Sequence, residues 1–244
     1  MNCSWAHPQF GIVLALTGIN GKVNIYKEAQ SKTWEKVFSY DEHKSTPLSI
    51  AFNQKRTNSI LRLLIGYSDG FISLVSYLND TWEVSSIKAH SLSVNIVAWL
   101  NSNLGSAQFA SGGNDGLIKL WGVSSNEKIE KGDVYIEKVH ESPVKSIEMI
   151  VSSSDEKQNE FVSYDADDNV YLWHGESTSM TIKGEQVVFN QEQIPSLITH
   201  ISYKEPGLIT VSSQEQTFLY KKFEKEYFII SASNADGTIV NSEY

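Results

Sequence analysis

The sequence predicts an all-β propeller of five four-stranded blades, and three observations predict it. Residues 109–121, FASGGNDGLIKLW, read as a strand, an Asn-Asp-Gly turn and a second strand closing on tryptophan. Degraded copies stand at 13–26, 63–77, 161–173 and 208–220, and a period in the forties belongs to a propeller of four-stranded blades. No segment carries helical periodicity long enough to build a nucleotide-binding unit, and one continuous repeat in 244 residues makes a single domain.

Two markers set the register. Tyr26, Val75, Trp121, Trp173 and Tyr220 close the third strands, and six residues before them stand Asn20, Asp69, Asp115, Asp167 and Gln214, spaced by 49, 46, 52 and 47. In the first strands Trp5, Phe52, Trp99, Met149 and Tyr203 follow at 47, 47, 50 and 54. Loop insertions between fixed strands give this spread. The fourth strands read as 34–39, 82–88, 134–139, 186–189 and 227–231, and their charge suits outer edges that must not pair with stray chains.

Blade boundaries follow at about 1–40, 41–89, 90–139, 140–190 and 191–231, with a tail at 232–244 whose ADGTIV segment reads as one more turn and strand or as a loose end. Asn20-Gly21, Asp69-Gly70 and Asp115-Gly116 supply the positive φ of a tight hairpin, and Asp168-Asn169 serves the fourth blade. Glu215-Gln216 is a poor turn pair, so a looser hairpin is expected in the fifth.

Composition narrows the function classes. With 20 Lys and Arg against 29 Asp and Glu, the net charge of −9 disfavours attraction to nucleic acid or anionic lipid. A protein partner is expected. The lone cysteine, Cys3, excludes an internal disulfide framework and fits a reducing compartment. No apolar run approaches the roughly 20 residues of a membrane span, and the first residues lack a signal-peptide pattern, so membrane insertion and secretion are not expected. Asn2-Cys-Ser and Asn79-Asp-Thr are then chance matches to a glycosylation acceptor.

His90, Ser111, Asp115 and Trp121 superficially resemble a nucleophile set, but the set recurs as His140, Ser163, Asp167 and Trp173. Catalysis needs its constellation once, whereas a hydrogen-bond network that ties a loop to each blade is needed per blade. No catalytic residue is assigned. Asp165, Asp167 and Asp168 lack the central Gly and terminal Glu of a calcium loop. His43, His90, His140 and His200 lie about a blade apart with no companion cysteine, and no Gly-rich phosphate loop precedes a helix. Neither metal nor cofactor is expected.

The segments SWAHPQFGIVLA (4–15), GYSDGFISLVSY (66–77), TWEVSSIKAHSLSVNIVAW (81–99) and FASGGNDGLIKLW resemble the Sec-thirteen family of WD-repeat proteins, shared by the COPII outer coat and the nuclear pore scaffold. The Seh-type nucleoporin shares the WAHP and FG elements but fits the second and third units less well. The resemblance implies an open WD-repeat β-propeller whose gap takes a blade in trans from an α-solenoid, a coat subunit of the Sec-thirty-one type or a Y-complex nucleoporin. It also implies that the repeated His, Ser, Asp and Trp form buried hydrogen-bonded chains.

Against that family the opening residues align with the second blade, so one blade of about 45 residues is expected to be missing, through truncation or reduction. The inserted blade is expected near the final one, with Leu197, Ile201, Tyr203, Phe218, Tyr220, Phe228 and Ile230 as contacts; the alternative is that they pack within their own blade. The role implied is a non-enzymatic scaffold in the cytoplasm, peripheral at ER-derived coats, and at the nuclear pore. A WD-repeat adaptor reading a peptide on the central face is the competing function.

Overall fold

The computed structural model describes residues 2–18, 21–29, 32–54, 60–100, 107–135, 140–149, 158–176, 182–189, 198–205, 207–223, 226–234 and 239–241. The first sheet holds β1 (Cys3–Trp5), β2 (Val13–Thr17), β3 (Val23–Glu28) and β4 (Trp34–Tyr40). The second holds β5 (Pro47–Phe52), β6 (Leu61–Tyr67), β7 (Phe71–Leu78) and β8 (Thr81–Lys88), and the third β9 (Val94–Leu100), β10 (Gln108–Gly113), β11 (Ile118–Val123) and β12 (Ile129–Tyr135). The fourth holds β13 (Val144–Met149), β14 (Gln158–Asp165), β15 (Val170–Glu176) and β16 (Ile182–Gln186). Each is an antiparallel meander in chain order.

The fifth sheet adds strands to this plan. Its meander is β18 (His200–Glu205), β19 (Leu208–Ser212), β20 (Gln216–Phe223) and β21 (Glu226–Asn234). The outer edge of β21 also pairs in parallel with β17 (Val188–Phe189) and antiparallel with β22 (Ile239–Asn241). The 186–189 segment expected as one outer strand is therefore split. Val187 is the pin: its N–H donates to Val170 O at 2.8 Å and its side chain is buried between the fourth and fifth sheets, so the chain leaves one sheet for the next there. In the third blade the outer strand begins at Ile129 rather than 134, because a turn closed by Ser124 N–H to Lys128 O starts pairing immediately after β11.

The hairpins between second and third strands differ by one residue. Gly21, Gly70, Gly116 and, in the fourth blade, Asp168 take positive φ of 81°, 86°, 73° and 63°. The fifth hairpin is shorter rather than looser. Ser213 N–H donates to Gln216 O at 2.8 Å, its hydroxyl meets both the N–H and the carbonyl of Gln216, and no residue there needs positive φ.

Strand register joins the two sequence markers into one cross-strand row per blade. The rows are Trp5–Leu14–Tyr26, Phe52–Leu63–Val75, Trp99–Phe109–Trp121, Met149–Phe161–Trp173 and Tyr203–Ile209–Tyr220. Because successive side chains of a strand point to opposite faces, the residues beside the row face the other way. These are the trios Ala15, Val23, Ile25; Leu64, Ile72, Leu74; Ala110, Ile118, Leu120; Val162, Val170, Leu172; and Thr210, Thr217, Leu219.

The core is the packing of each row on the preceding blade's trio. Leu63 and Val75 cluster with Ala15, Val23 and Ile25; Phe109 and Trp121 with Leu64, Ile72 and Leu74. Phe161 and Trp173 cluster with Ala110, Ile118 and Leu120, and Ile209 and Tyr220 with Val162, Val170 and Leu172. Each large side chain buried this way is worth about 1.5–3 kcal/mol. Among the described residues no such cluster joins the fifth sheet to the first, so the circle of blades is open.

Polar clamps repeat at the same period along the innermost strands. Phe52 N–H donates to Ser4 Oγ (3.0 Å) and Val97 N–H to Ser49 Oγ (3.1 Å). The Trp99 indole donates to Ala51 O (2.9 Å), Gln54 Nε2 to Trp5 O (2.6 Å) and Asn95 Nδ2 to Val144 O (2.9 Å).

A buried ion pair locks the second blade to the third. Arg62 on β6 donates from Nε and Nη2 to the two oxygens of Glu127, at 2.6 and 2.5 Å, and the Ser76 hydroxyl adds a bond of 2.8 Å. Glu127 stands in the turn after β11 at φ 52° and is 4% exposed. Burial opposes its ionisation, but hydrogen bonds from Arg62 and Ser76 and the guanidinium charge outweigh that and hold its carboxyl below the ordinary range. Glu127→Ala leaves a buried guanidinium without its counter-charge, and urea unfolding should show a loss of about 3–5 kcal/mol. The double substitution Arg62→Leu with Glu127→Leu should cost well under the sum of the single ones.

Candidate functional site

In the third blade the structure joins the four residues of the first predicted set. The loop before β9 brings His90 over the hairpin, where Nδ1 lies 2.8 Å from Asp115 Oδ1 and Nε2 lies 2.8 Å from Ser111 Oγ. The Trp121 indole donates to the same hydroxyl at 2.9 Å. The carboxylate and the burial together give the direction of the protons. An ionised carboxylate only accepts, so His90 Nδ1 carries a proton directed at Asp115, and burial favours the neutral imidazole, which leaves Nε2 as an acceptor. Ser111 then donates to Nε2 and accepts from the Trp121 indole, which can only donate.

Electrostatics agrees with that assignment. Burial pushes His90 below the ordinary imidazole range, and the hydrogen bond and charge of Asp115 only partly offset it. Burial also opposes the ionisation of Asp115. The hydrogen bond and charge of His90, with backbone N–H groups of Ser91 and Leu117, nevertheless hold that carboxyl below its usual value.

The fourth blade builds the same chain with a different aspartate. His140 Nε2 lies 2.8 Å from Ser163 Oγ, and the Trp173 indole donates to that hydroxyl at 2.8 Å. The carboxylate on His140 Nδ1 is Asp165, at 2.9 Å, and not the expected Asp167. Register gives the reason. Two residues after the serine, the third blade has Gly113, where an added Cβ would lie 2.5 Å from His90 Nδ1 and 2.6 Å from Asp115 Oδ1. That vacancy is what the turn aspartate enters from outside. In the fourth blade the position is Asp165 itself, whose carboxylate fills the space from the end of β14 and also accepts from Asp167 N–H, Asn169 N–H and Asn169 Nδ2. Asp167, displaced, accepts from the Ser142 hydroxyl at the surface. Burial likewise pushes His140 below the imidazole range, with Asp165 partly opposing it.

Blades one, two and five carry Leu16, Ile65 and Val211 where these serines stand. In the second blade His43 therefore turns to reach Asp69 through Nε2, at 2.9 Å, and packs on Tyr67 at 4.2 Å between ring centres. The acidic cluster has no spare ligands: Asp165 holds His140, Asp167 holds Ser142 and Asp168 accepts from Ile198 N–H. Among the described residues no three His, Cys, Asp or Glu are grouped to hold a metal ion.

Of the proposed partner contacts, Ile201, Phe218 and Tyr220 are buried with Val162, Tyr164 and Leu172 of the fourth blade and so face a neighbour within the chain. Phe228 and Ile230 are half-buried, with Phe228 edge-on to Phe223 at 5.8 Å. Tyr203 has its backbone in β18 opposite Ile209, its side chain lying outside the described residues, as does all of Leu197. Sequence reading missed Asp165, Arg62 and Glu127. For Asp165 a signal existed, since counting from Ser163 rather than back from Trp173 marks position 165 as the twin of Gly113.

Comparison with known proteins agrees with this architecture. The family model "WD domain, G-beta repeat" matches residues 82–122, a span running from within β8 to within β11, so the sequence repeat links the outer strand of one blade to three strands of the next. The chain is similar to "Protein transport protein sec13" of Aspergillus fumigatus, 27% identical over 221 residues that cover 79% of this chain and 70% of the relative. It is 29% identical to the protein of that name in Emericella nidulans over 220 residues, 79% of this chain and 69% of the relative. "Protein SEC13 homolog" of Drosophila melanogaster is 27% identical over 145 residues, 52% and 40% of the two chains.

Asp165→Ala strips His140 and two backbone N–H groups of a buried carboxylate, and should lower unfolding stability by about 3 kcal/mol. Asp167→Ala should stay within about 0.5 kcal/mol in the same denaturation assay. The two histidines set a pH dependence. A histidine whose folded pKa lies below its unfolded value of about 6.5 protonates first in the unfolded chain. Stability is therefore full above pH 6.5 and falls as pH drops from there toward the depressed folded values. Urea midpoints from pH 8 to 5 should show this decline, and His90→Gln together with His140→Gln should flatten it.

Proposed function

We propose that this Sec13-like WD-repeat propeller is a non-enzymatic scaffold subunit in protein transport. Its place is the COPII outer coat of ER-to-Golgi traffic, the nuclear pore scaffold, or both. What carries the reading is similarity to proteins named for protein transport along 79% of the chain, and the open circle of blades supports it. The His, Ser, Asp and Trp chains act as structure: their donors and acceptors are satisfied by one another, and they occur twice with the same Ser-to-His and Ser-to-Trp geometry.

An α-solenoid subunit, of the Sec-thirty-one type in the coat or a Y-complex nucleoporin at the pore, supplies a blade in trans and closes the circle. Sheet faces left uncovered by the chain favour such an addition, because burying apolar sheet surface drives association as it drives folding. The physical work is stiffening, since a propeller clasped to a hinge-prone rod removes bending modes from a lattice that curves membrane.

Affinity purification from its own cells at mild salt should recover a large solenoid subunit of the coat or the pore. Ligase or chromatin subunits with no solenoid would replace this reading with a peptide-reading adaptor. The recovered rod should bend less with the propeller bound than without it, and equal stiffness would remove the stiffening role.

A further inference from the structure

We propose that Ser142 is a phosphorylation site for a proline-directed protein kinase, and that the phosphate releases the loop before β13 from the β14–β15 hairpin. This inference stands independently of the scaffold reading.

The third and fourth blades fasten that loop in different ways. In the third, Asp115 has two roles at once: Oδ1 takes the His90 imidazole, and Oδ2 takes the N–H and the hydroxyl of Ser91 at 3.0 and 3.2 Å. In the fourth the roles fall to two carboxylates. Buried Asp165 holds His140, and exposed Asp167 accepts from the Ser142 hydroxyl. The surface contact can therefore be altered without touching the buried chain of bonds, which is what a reversible modification needs.

The sequence supplies the recognition chemistry at the same residue. Ser142 is followed directly by Pro143 and, three residues on, by Lys145. Proline has no N–H, so a kinase pocket without an acceptor admits it and rejects residues whose N–H would go unpaired there. The Lys145 ammonium gives the enzyme a point charge to pair. Of the five prolines only Pro47 also follows a hydroxyl-bearing residue, Thr46, and three residues past Thr46 stands Ser49 rather than a cation. Ser142 is half-buried, with Glu141 and Lys145 exposed on either side. Val144 is fully buried and Pro143 O accepts from Ala166 N–H at 2.9 Å, so the segment enters a kinase cleft when this end of the loop opens locally.

The step transfers the terminal phosphoryl group of a nucleoside triphosphate. The bond from that phosphorus to its bridging oxygen breaks, the bond from phosphorus to Ser142 Oγ forms, the hydroxyl proton passes to the kinase's base, and the nucleoside diphosphate leaves. The product replaces a donor facing Asp167 with a charge of about −1.5 to −2 at neutral pH. Two anions then face each other where a hydrogen bond stood, and their repulsion opens the bond between Pro143 and Ala166 more often. His140 and Asp165 keep theirs.

The test is incubation of the purified protein with a proline-directed kinase and ATP, followed by mass-spectrometric mapping of the phosphate and amide exchange of the product. Phosphate should map to residue 142. Ser142→Ala should abolish it, Lys145→Gln should slow it severalfold, and Asp167→Ala should speed it because the hydroxyl is no longer held. In the phosphoprotein the Ala166 amide should exchange about tenfold faster or more, while the Asn169 amide, held by Asp165, keeps its rate. With Asp167→Ala the phosphate should leave the Ala166 rate nearly unchanged. Absence of phosphate at residue 142 in both the wild type and the Asp167→Ala protein would overturn the site. Equal acceleration at Ala166 with and without Asp167 would overturn the release by repulsion.

Discussion

Four of the five blades of this protein are sheets apolar on both faces, and every other feature depends on covering them. The pleat sends the row to one face and the trio to the other, so a blade cannot bury its own apolar surface and must be stacked between neighbours. Phe109 and Trp121 have meaning only because Leu64, Ile72 and Leu74 lie opposite them, as Phe161 and Trp173 need Ala110, Ile118 and Leu120. Among the described residues the five sheets stacked in this way have four interfaces, and the faces left unmatched there are those of the first and the fifth. They are unlike each other, one lined by Trp5, Leu14 and Tyr26, the other by Thr210, Thr217 and Leu219.

Within that apolar stack the serine-centred chains are built whole or not at all. Where a serine stands on the second strand, as at 111 and 163, it comes with an indole donor, an imidazole acceptor and a carboxylate, and the chain of bonds is complete. Where Leu16, Ile65 or Val211 replaces the serine, no closing tryptophan is present and Tyr26, Val75 or Tyr220 fills the third strand. A half-built network would leave a buried donor unpaired at a cost of about 1–3 kcal/mol. Between blades Arg62 and Glu127 meet each other's charge in a place closed to water, with Arg62 Nη1 left without a partner among the described residues.

Much of the architecture was legible because it depends on local chemistry that repeats. Turn residues at 69–70 and 115–116, alternating apolar strands and the aromatic that closes four of the five hairpins gave five blades and, in the row of each, strand register. Legibility failed where position is counted through a turn rather than along a strand. Asp167 lies six residues before its tryptophan as Asp115 does, yet Asp165 takes the imidazole, because Gly113 left space in one blade that Asp165 fills in the other. The outer strands were read late in the third blade and as one piece at 186–189, since their starts are set by a turn and by the burial of Val187 between two sheets.

By itself the sequence determined the repeat, the strand alternation and the chemistry of the hydrogen-bonded chains, because each is written within some fifty residues. Tertiary structure decided which face of each blade meets which neighbour, and so which apolar residues are spent and which remain. Ile201, Phe218 and Tyr220 look like binding residues in the linear chain but are consumed by the fourth blade, while Trp5, in the same row position as Trp99, stays exposed. The reason is physical: hydrophobicity records that a side chain needs covering, and only the stacking of sheets determines whether the molecule has already covered it.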